Sequence, residues 1–243
     1  MKPLSFLTQY FCFEGLMVIA GFAALVVSIV NRKRHSSLRI FIYYIAFSLL
    51  QTACAFYEFM SPKEQFMPKL LLAIATLLFM LFEYVVCVRY VFLQITSLRR
   101  RRIVKATSLG YIAATTLVIV FRMGYFNLLL VDCIFLTLPC FFYFYELFVY
   151  VQEKPLKDDP SFWIITGILF LNCCSIPLYL AQDLLGKYGD KAFSLNYLLY
   201  TLLFSLLIRA YVCSPENKYA GIQDRKPVRL KGKEIADHSL LVQ

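Results

Sequence analysis

The chain has 243 residues, and 60% of them are hydrophobic, well above the share of about 45–50% that is typical of soluble domains. This composition, with a mean hydropathy of +0.66, favours an integral membrane protein over a soluble globular one. The net charge of +10 would suit a nucleic-acid-binding protein, but the basic residues cluster in short segments between apolar runs. We therefore expect no nucleic-acid partner.

Seven apolar stretches are long enough for membrane-spanning helices, which need about 20 residues each. Backbone polar groups in hydrocarbon must be satisfied internally, so the pattern predicts an all-α membrane protein, a seven-transmembrane-helix bundle. No cleavage pattern follows the first run, which we expect to be retained. The predicted transmembrane domain covers residues 1–213, with helices at about 11–30, 40–60, 68–95, 103–121, 125–151, 162–185 and 192–213.

The distribution of Lys and Arg predicts the orientation of this bundle. Seventeen of them fall in segments 31–39, 96–105 and 152–161 and in the tail, whereas six fall in the N-terminus and the alternate connectors. Positively charged connectors remain in the cytoplasm, so we expect the N-terminus outside and the C-terminus in the cytoplasm. The tail, 214–243, is polar and mixed in charge, which predicts a flexible basic cytoplasmic segment.

The densest basic run is a candidate contact site on the cytoplasmic face. It consists of Arg99, Arg100, Arg101 and Arg102. Arginine clusters next to a membrane helix attract anionic lipid headgroups, and the same residues could hold a cytoplasmic protein partner. Self-association into a homo-oligomer is also compatible with the sequence.

Ionisable residues inside predicted membrane helices are costly, by about 2.5–3.5 kcal/mol each on insertion scales, and are candidates for function. Glu83 lies near the middle of the third predicted helix, and Asp132 lies about two turns into the fifth. Arg89 follows Glu83 by about 9 Å of helix rise and faces about 120° away, so the two cannot pair along their own helix. Arg89 can extend toward the cytoplasmic interface. Glu83 either clamps two helices through a hydrogen bond or takes part in ligand binding or proton coupling.

Polar and proline residues in two further helices extend this candidate intramembrane site. Asn172 lies at mid-depth in the sixth helix, and Pro139 and Pro177 are candidate hinges in the fifth and sixth. Together with Glu83 these residues could line a pocket, or the prolines could simply shape the bundle. The remaining helix-end charges predict interfacial anchoring; they are Glu14, Glu58, Glu146 and Arg209.

The sequence predicts no cofactor, no metal and no catalytic site. The two histidines, His35 and His238, lie in a connector and in the tail, away from the cysteines, and zinc sites need His or Cys at short fixed spacings. The cysteines instead fit small apolar side chains in membrane helices. No P-loop, HExxH or GxSxG motif is present, and the last helix has no mid-membrane lysine for a retinal Schiff base.

One stretch carries a resemblance to a family. DDPSFWIITGILFLNCCSIPLYLAQDLL (158–185) is similar to a P-x-FWI-x-x-G-x-L pattern that opens the sixth helix in small uncharacterised seven-transmembrane-helix proteins of Bacteroidota, and FEYVVCVRY (82–90) and YFYEL (143–147) are compatible with it. The resemblance implies the seven-helix topology and a bacterial cytoplasmic membrane, and it implies no activity. Asn172 and the two cysteines that follow it depart from the small residues more usual there.

Three functional hypotheses remain open. The first is a sensory or signalling module that acts through a cytoplasmic partner, because the outer connectors are short and the tail is too short for an output domain. The alternative is a small-solute or proton-coupled transporter, with Glu83 and Asp132 as coupling groups and Pro139 and Pro177 as hinges. A scaffold subunit of a membrane complex is the third. An enzyme acting on lipid would need clustered catalytic groups, so we expect no enzymatic activity.

Overall fold

The computed structural model describes residues 4–33, 37–61, 66–121, 125–149, 155–181 and 189–213, and that part of the chain is helical without strands. All seven of its α-helices are long and apolar enough to cross a membrane, which agrees with the predicted seven-helix bundle. The predicted tail, 214–243, lies outside the described residues. The helices are α1 (Leu4–Val30), α2 (Arg39–Met60), α3 (Phe66–Gln94), α4 (Leu98–Val120), α5 (Tyr125–Val149), α6 (Pro160–Leu180) and α7 (Gly189–Val212).

Six of these helices form a closed ring, and the remaining helix, α4, lies outside it. Around the ring, α1 packs on α2, α2 on α3, α3 on α5, α5 on α6, α6 on α7, and α7 on α1. Helix α4 packs mainly on the outside of α5. It exposes large apolar side chains, with Leu109 71% and Ile112 61% accessible. Such a surface suits lipid as the solvent, because in water it would form an extended apolar patch.

Contacts between distant segments show which helix ends lie together. The hydroxyl of Tyr211, near the end of α7, donates to the carbonyl oxygen of Leu38, just before α2, at 2.6 Å. The hydroxyl of Tyr90, late in α3, donates to Ser161 Oγ at the start of α6, at 3.1 Å. We call this the basic end of the bundle, since residues 99–102 lie there. The opposite end, where α2 and α6 finish and α3, α5 and α7 begin, is called the cavity end.

The half of the bundle next to the basic end is filled by large side chains. Phe41 and Tyr90 meet edge to face with their ring centroids 5.0 Å apart. The fully buried residues of this half include Leu38, Phe41, Ile45, Ile95, Tyr143, Ile164, Ile165 and Tyr211. Because these residues belong to or directly adjoin five different helices, this half has a continuous packed core.

Helix starts at the basic end carry recognisable signals. The side chain of Asp159 caps α6 by accepting from the backbone N–H of Ser161 at 2.9 Å, and Pro160 occupies the first helical position. Helix α4 begins at Leu98, whereas the sequence pattern predicts a start near residue 103. The arginine run therefore lies in the first turns of α4 rather than in a connector. Its long side chains can reach past the helix end to water or headgroups.

Candidate functional site

A cavity of about 580 Å³ lies between the helices of the ring. It extends from the ends of α2 and α3 at the cavity end down to Glu83, and none of its lining residues comes from α4. Its polar lining residues are Ser48, Gln51, Thr52, Glu58, Lys69, Thr76, Glu83, Asp132, Asn172, Ser175, Tyr179, Asn196, Tyr197 and Tyr200. Its apolar lining residues are Met17, Ala55, Leu72, Ala73, Phe79, Met80, Leu129, Cys133 and Leu171.

Glu83 lies at the deep limit of this cavity. Only 5% of its surface is accessible, and its Oε1 accepts a hydrogen bond from the hydroxyl of Tyr44, on α2, at 2.8 Å. Tyr44 is held in turn by stacking on Phe79, with ring centroids 5.7 Å apart. The hydrogen bond joins α2 to α3 and satisfies one oxygen of a buried carboxyl group.

Asp132 faces the cavity from α5 and is equally buried, at 5% accessible. Tyr111, on α4, lies close enough to interact with it electrostatically. Its Oδ1 has no hydrogen-bond partner among the residues that the structure describes. A buried carboxyl oxygen without a partner is costly in a folded protein. Asp132 therefore has free acceptor capacity at the wall of a cavity.

Helix α4 supports Asp132 from outside the ring. Its Tyr111 stacks face to face on Tyr84, with ring centroids 3.7 Å apart and planes 8° from parallel. The hydroxyl of Tyr84 contacts Ser108 Oγ at 3.4 Å. The stacked pair holds Tyr111 next to Asp132, so α4 adjoins a lining residue although it contributes nothing to the lining itself.

A chain of polar groups joins α6 to α7 along another side of the cavity. Ser175 Oγ donates to Asn196 Oδ1 at 3.1 Å, and Asn196 Nδ2 donates to the hydroxyl of Tyr179 at 3.0 Å. Asn172, which also lines the cavity, donates from Nδ2 to the backbone carbonyl oxygen of Ile168 at 2.8 Å, and this bond leaves its side-chain oxygen as an acceptor. This side thus offers both donors and acceptors.

The structure brings three of the four predicted intramembrane polar residues together. Glu83, Asp132 and Asn172 line one cavity, on α3, α5 and α6. Arg89 does not join them, because it points to the exposed outside of α3, as its position relative to Glu83 on the helix requires. The candidate hinges Pro139 and Pro177 both lie inside continuous helices and are absent from the cavity lining. Their role as hinges stays a prediction.

The two deep carboxyl groups influence one another. Glu83 is close enough to Asp132 for their charges to interact. Two like charges in a low-dielectric site disfavour each other unless a positive charge compensates them. Within the described residues no group of three or more His, Cys, Asp or Glu side chains is arranged to hold a metal ion.

A second polar cluster lies at the basic end and is built around Glu146. This carboxyl, on α5, has no accessible surface and accepts from the backbone N–H groups of Thr96 at 2.7 Å and Ser97 at 3.0 Å, and from the Thr96 hydroxyl at 2.8 Å. It also pairs with Arg100 at 2.9 Å. The sequence predicts an interfacial anchor for Glu146. The structure instead places it as an internal clamp at the N-terminus of α4, where an anion is favoured.

The arginine run is divided between internal and external side chains. Arg100 lies over the ring of Tyr145, 4.5 Å from its centroid, and Arg101 Nε donates to the carbonyl oxygen of Ile95 at 2.6 Å. Arg99 and Arg102 are exposed. The exposed pair is therefore the part of the predicted contact site that remains available to headgroups or to a protein.

Several site residues were not predicted. Tyr44 and Tyr111 look in the sequence like ordinary membrane-helix tyrosines, and no local pattern distinguishes the one that binds Glu83 from its neighbour Tyr43. Asn196 carried a usable signal, since an amide within an apolar helix seldom occurs without a polar partner.

Comparison of the chain with protein-family models, with curated proteins and with solved structures finds no match. A function for this chain is therefore inferred from the geometry of the cavity and of the basic end.

Proposed function

We propose that this protein is a receptor-like module of a bacterial cytoplasmic membrane that binds a small ligand in the cavity and responds at the basic end. The observation that carries the proposal is the division of the bundle into a hollow half and a packed half. The cavity lies toward one end, and below Glu83 the ring is filled by the buried core described above. Small-molecule sites commonly occupy cavities of about 300–1,000 Å³ between the helices of bundles.

The orientation in this proposal comes from the basic residues. Connectors rich in Lys and Arg stay in the cytoplasm, so the basic end would face the cytoplasm and the cavity would open to the outside. A ligand would then enter from outside the cell, and Arg99 and Arg102 would be presented to anionic lipid or to a protein partner inside it.

Helix α5 offers a physical link between the two ends. It carries Asp132 at the cavity and Glu146 at the basic end, about 21 Å apart along the helix axis. Glu146 holds the N–H groups of Thr96 and Ser97 and pairs with Arg100. A ligand that shifts α5 at Asp132 would therefore alter the hydrogen bonds that position the start of the arginine run.

The test introduces a thiol into the cavity and measures its labelling and the amide hydrogen exchange at the basic end. Ala55→Cys introduces the thiol at a lining position of α2, and Ala46→Cys, on the exposed outside of the same helix, is the matched control. Both are made together with Cys54→Ser, so that the adjacent native thiol does not react. Membrane-impermeant methanethiosulfonate reagents applied to intact cells should label the thiol at position 55 and spare the one at position 46, as judged by peptide mass spectrometry. Labelling at position 55 only from inverted vesicles would contradict the proposed orientation.

The same variant tests the coupling. A group tethered at position 55 occupies the cavity, so it should change the amide hydrogen exchange of Thr96 and Ser97 by several-fold. The Ala46→Cys protein treated with the same reagent should show no change in that exchange. If the two amides exchange at the same rate with the cavity empty and occupied, the receptor-like proposal fails.

A small-solute transporter is the second candidate, favoured by the buried carboxyl pair in the cavity and by the prolines in two lining helices, α5 and α6. Transport would require the packed half to open, which would break the Tyr211–Leu38 contact. Substrate flux into proteoliposomes that is lost in Glu83→Gln would favour this candidate over the receptor.

A further inference from the structure

We infer that the ligand of the cavity is a small organic cation, with its ammonium group at Asp132 and its carbon skeleton against aromatic side chains of the lining. The inference rests on the proposed function and adds the chemical class of the ligand.

The charged side chains of the lining favour a cation as the ligand. The charged lining residues of the described chain comprise three carboxyl side chains and one lysine. The carboxyls are Glu58, Glu83 and Asp132, and the lysine is Lys69. Glu58 and Lys69 lie near the ends of α2 and α3, so the charged groups that line the deep part of the cavity are carboxyls alone. A cation bound there compensates two like charges that otherwise oppose each other in a poorly solvated site.

Asp132 has a carboxyl oxygen available for a ligand donor. Glu83 already accepts from Tyr44 at 2.8 Å, whereas Asp132 Oδ1 has no hydrogen-bond partner in the described part of the chain. Only 5% of the Asp132 surface is accessible, and the residue lines the cavity. A ligand N–H donor is the group that completes this site, and a charged donor forms the stronger hydrogen bond with a carboxylate.

The carbon surface of the lining favours an organic cation over a metal ion. The lining includes four aromatic side chains, Phe79, Tyr179, Tyr197 and Tyr200, and several aliphatic ones. Aromatic faces attract ammonium groups by cation–π interaction and also pack against carbon atoms. A bare ion would gain little from the carbon lining, and the described residues include no cluster of metal-ligating side chains.

The test uses the Ala55→Cys variant, again with Cys54→Ser, and three methanethiosulfonate probes of similar size. The first carries a trimethylammonioethyl group, the second a sulfonatoethyl group and the third a neutral hydroxyethyl group. The rate of labelling at position 55 for each probe is divided by its rate with a free thiol in solution. The cationic probe should react at position 55 faster than the anionic one by about tenfold or more, since neighbouring charges a few ångströms away act through a dielectric below that of water.

Substitutions then assign this preference to residues. Asp132→Asn should reduce the ratio of cationic to anionic labelling by roughly two- to tenfold, the effect of one charge at this range. Glu14→Gln is the matched control, because Glu14 is also a buried carboxyl but does not line the cavity; it should leave the ratio unchanged.

Protection by free ligands gives a second readout. The amine 2-phenylethylamine should protect the thiol at position 55 from the neutral probe at lower concentration than its neutral analogue 2-phenylethanol, and Asp132→Asn should remove that difference.

The outcomes separate the two levels of the proposal. If the neutral probe labels position 55 but the cationic probe has no advantage, or if the anionic probe is faster, the organic-cation inference is overturned and the small-ligand cavity stands. If no probe labels position 55 from outside, the proposed function is overturned as well. A cationic preference that persists in Asp132→Asn also overturns the assignment to Asp132.

Discussion

Removing the carboxyl of Glu146 should be among the most destabilising single changes in this chain. The side chain is fully buried, accepts from two backbone N–H groups and the Thr96 hydroxyl, and forms an ion pair with Arg100. Glu146→Ala leaves these donors without an acceptor. Breaking a buried ion pair by deleting one partner costs about 3–5 kcal/mol. Arg100 is 19% accessible and can recover some hydration, so we expect about 3–4 kcal/mol.

Glu146→Gln keeps one acceptor oxygen but loses the charge, and it turns an amide N–H₂ group toward backbone donors. We expect it to lower the free energy of unfolding by about 1.5–3 kcal/mol. The measurement is reversible unfolding in mixed micelles, followed by circular dichroism as a denaturing detergent is added. Glu14→Gln is the matched control, since no ion pair depends on that buried carboxyl in the described part of the chain.

A double-mutant cycle isolates the ion pair from the backbone contacts. Arg100→Gln in wild-type and Glu146→Gln backgrounds should show a coupling of about 0.5–3 kcal/mol, the range for residues in direct contact. A Glu146→Ala protein whose free energy of unfolding lies within about 0.5 kcal/mol of wild type would refute the clamp, because surface changes have effects of that size.

Two further predictions concern helix packing. Tyr44→Phe removes the donor to Glu83, leaves a buried carboxyl oxygen without a partner, and should lower the free energy of unfolding by about 1–3 kcal/mol in the same detergent titration; no change would contradict the clamp between α2 and α3. A Cβ at Gly167 would lie 2.8 Å from the Cδ1 of Leu203 across the contact of α6 with α7, whereas one at Gly15 meets nothing within 4 Å. Gly167→Ala should therefore destabilise by about 1 kcal/mol and Gly15→Ala should not, and equal effects would count against close packing of α6 on α7.

The membrane-spanning helices were largely predictable from sequence. In hydrocarbon the backbone must bond to itself, so length and hydropathy alone identify a spanning helix. All seven predicted helices occur, with α2 and α5 beginning within one residue of the predicted position. The depth of Glu83 and Asp132 along their helices followed from counting residues. The separation of Arg89 from the face of Glu83, about 120° around the helix, also followed from helical rotation.

The arrangement of these helices was not predictable in the same way. Helices such as α6 are apolar all round, so their sequences do not indicate which face meets another helix and which meets lipid. Lipid tails are as apolar as leucine, and the choice is made by small differences in packing and by polar contacts between helices. The exclusion of α4 from the ring, and the stacking of its Tyr111 on Tyr84 of α3, depend on that choice.

The sequence by itself determined the seven helices of the described chain that are long and apolar enough to span a membrane, and which charged residues lie deep along them. Only the tertiary structure decided that Glu83 bonds to Tyr44, 39 residues away in the chain, that Asp132 shares a cavity with it, and that Glu146 is a buried clamp rather than an interfacial anchor. The reason is physical. Depth in a membrane is a property of one helix and its solvent, whereas a partner across the bundle depends on how several helices pack at once.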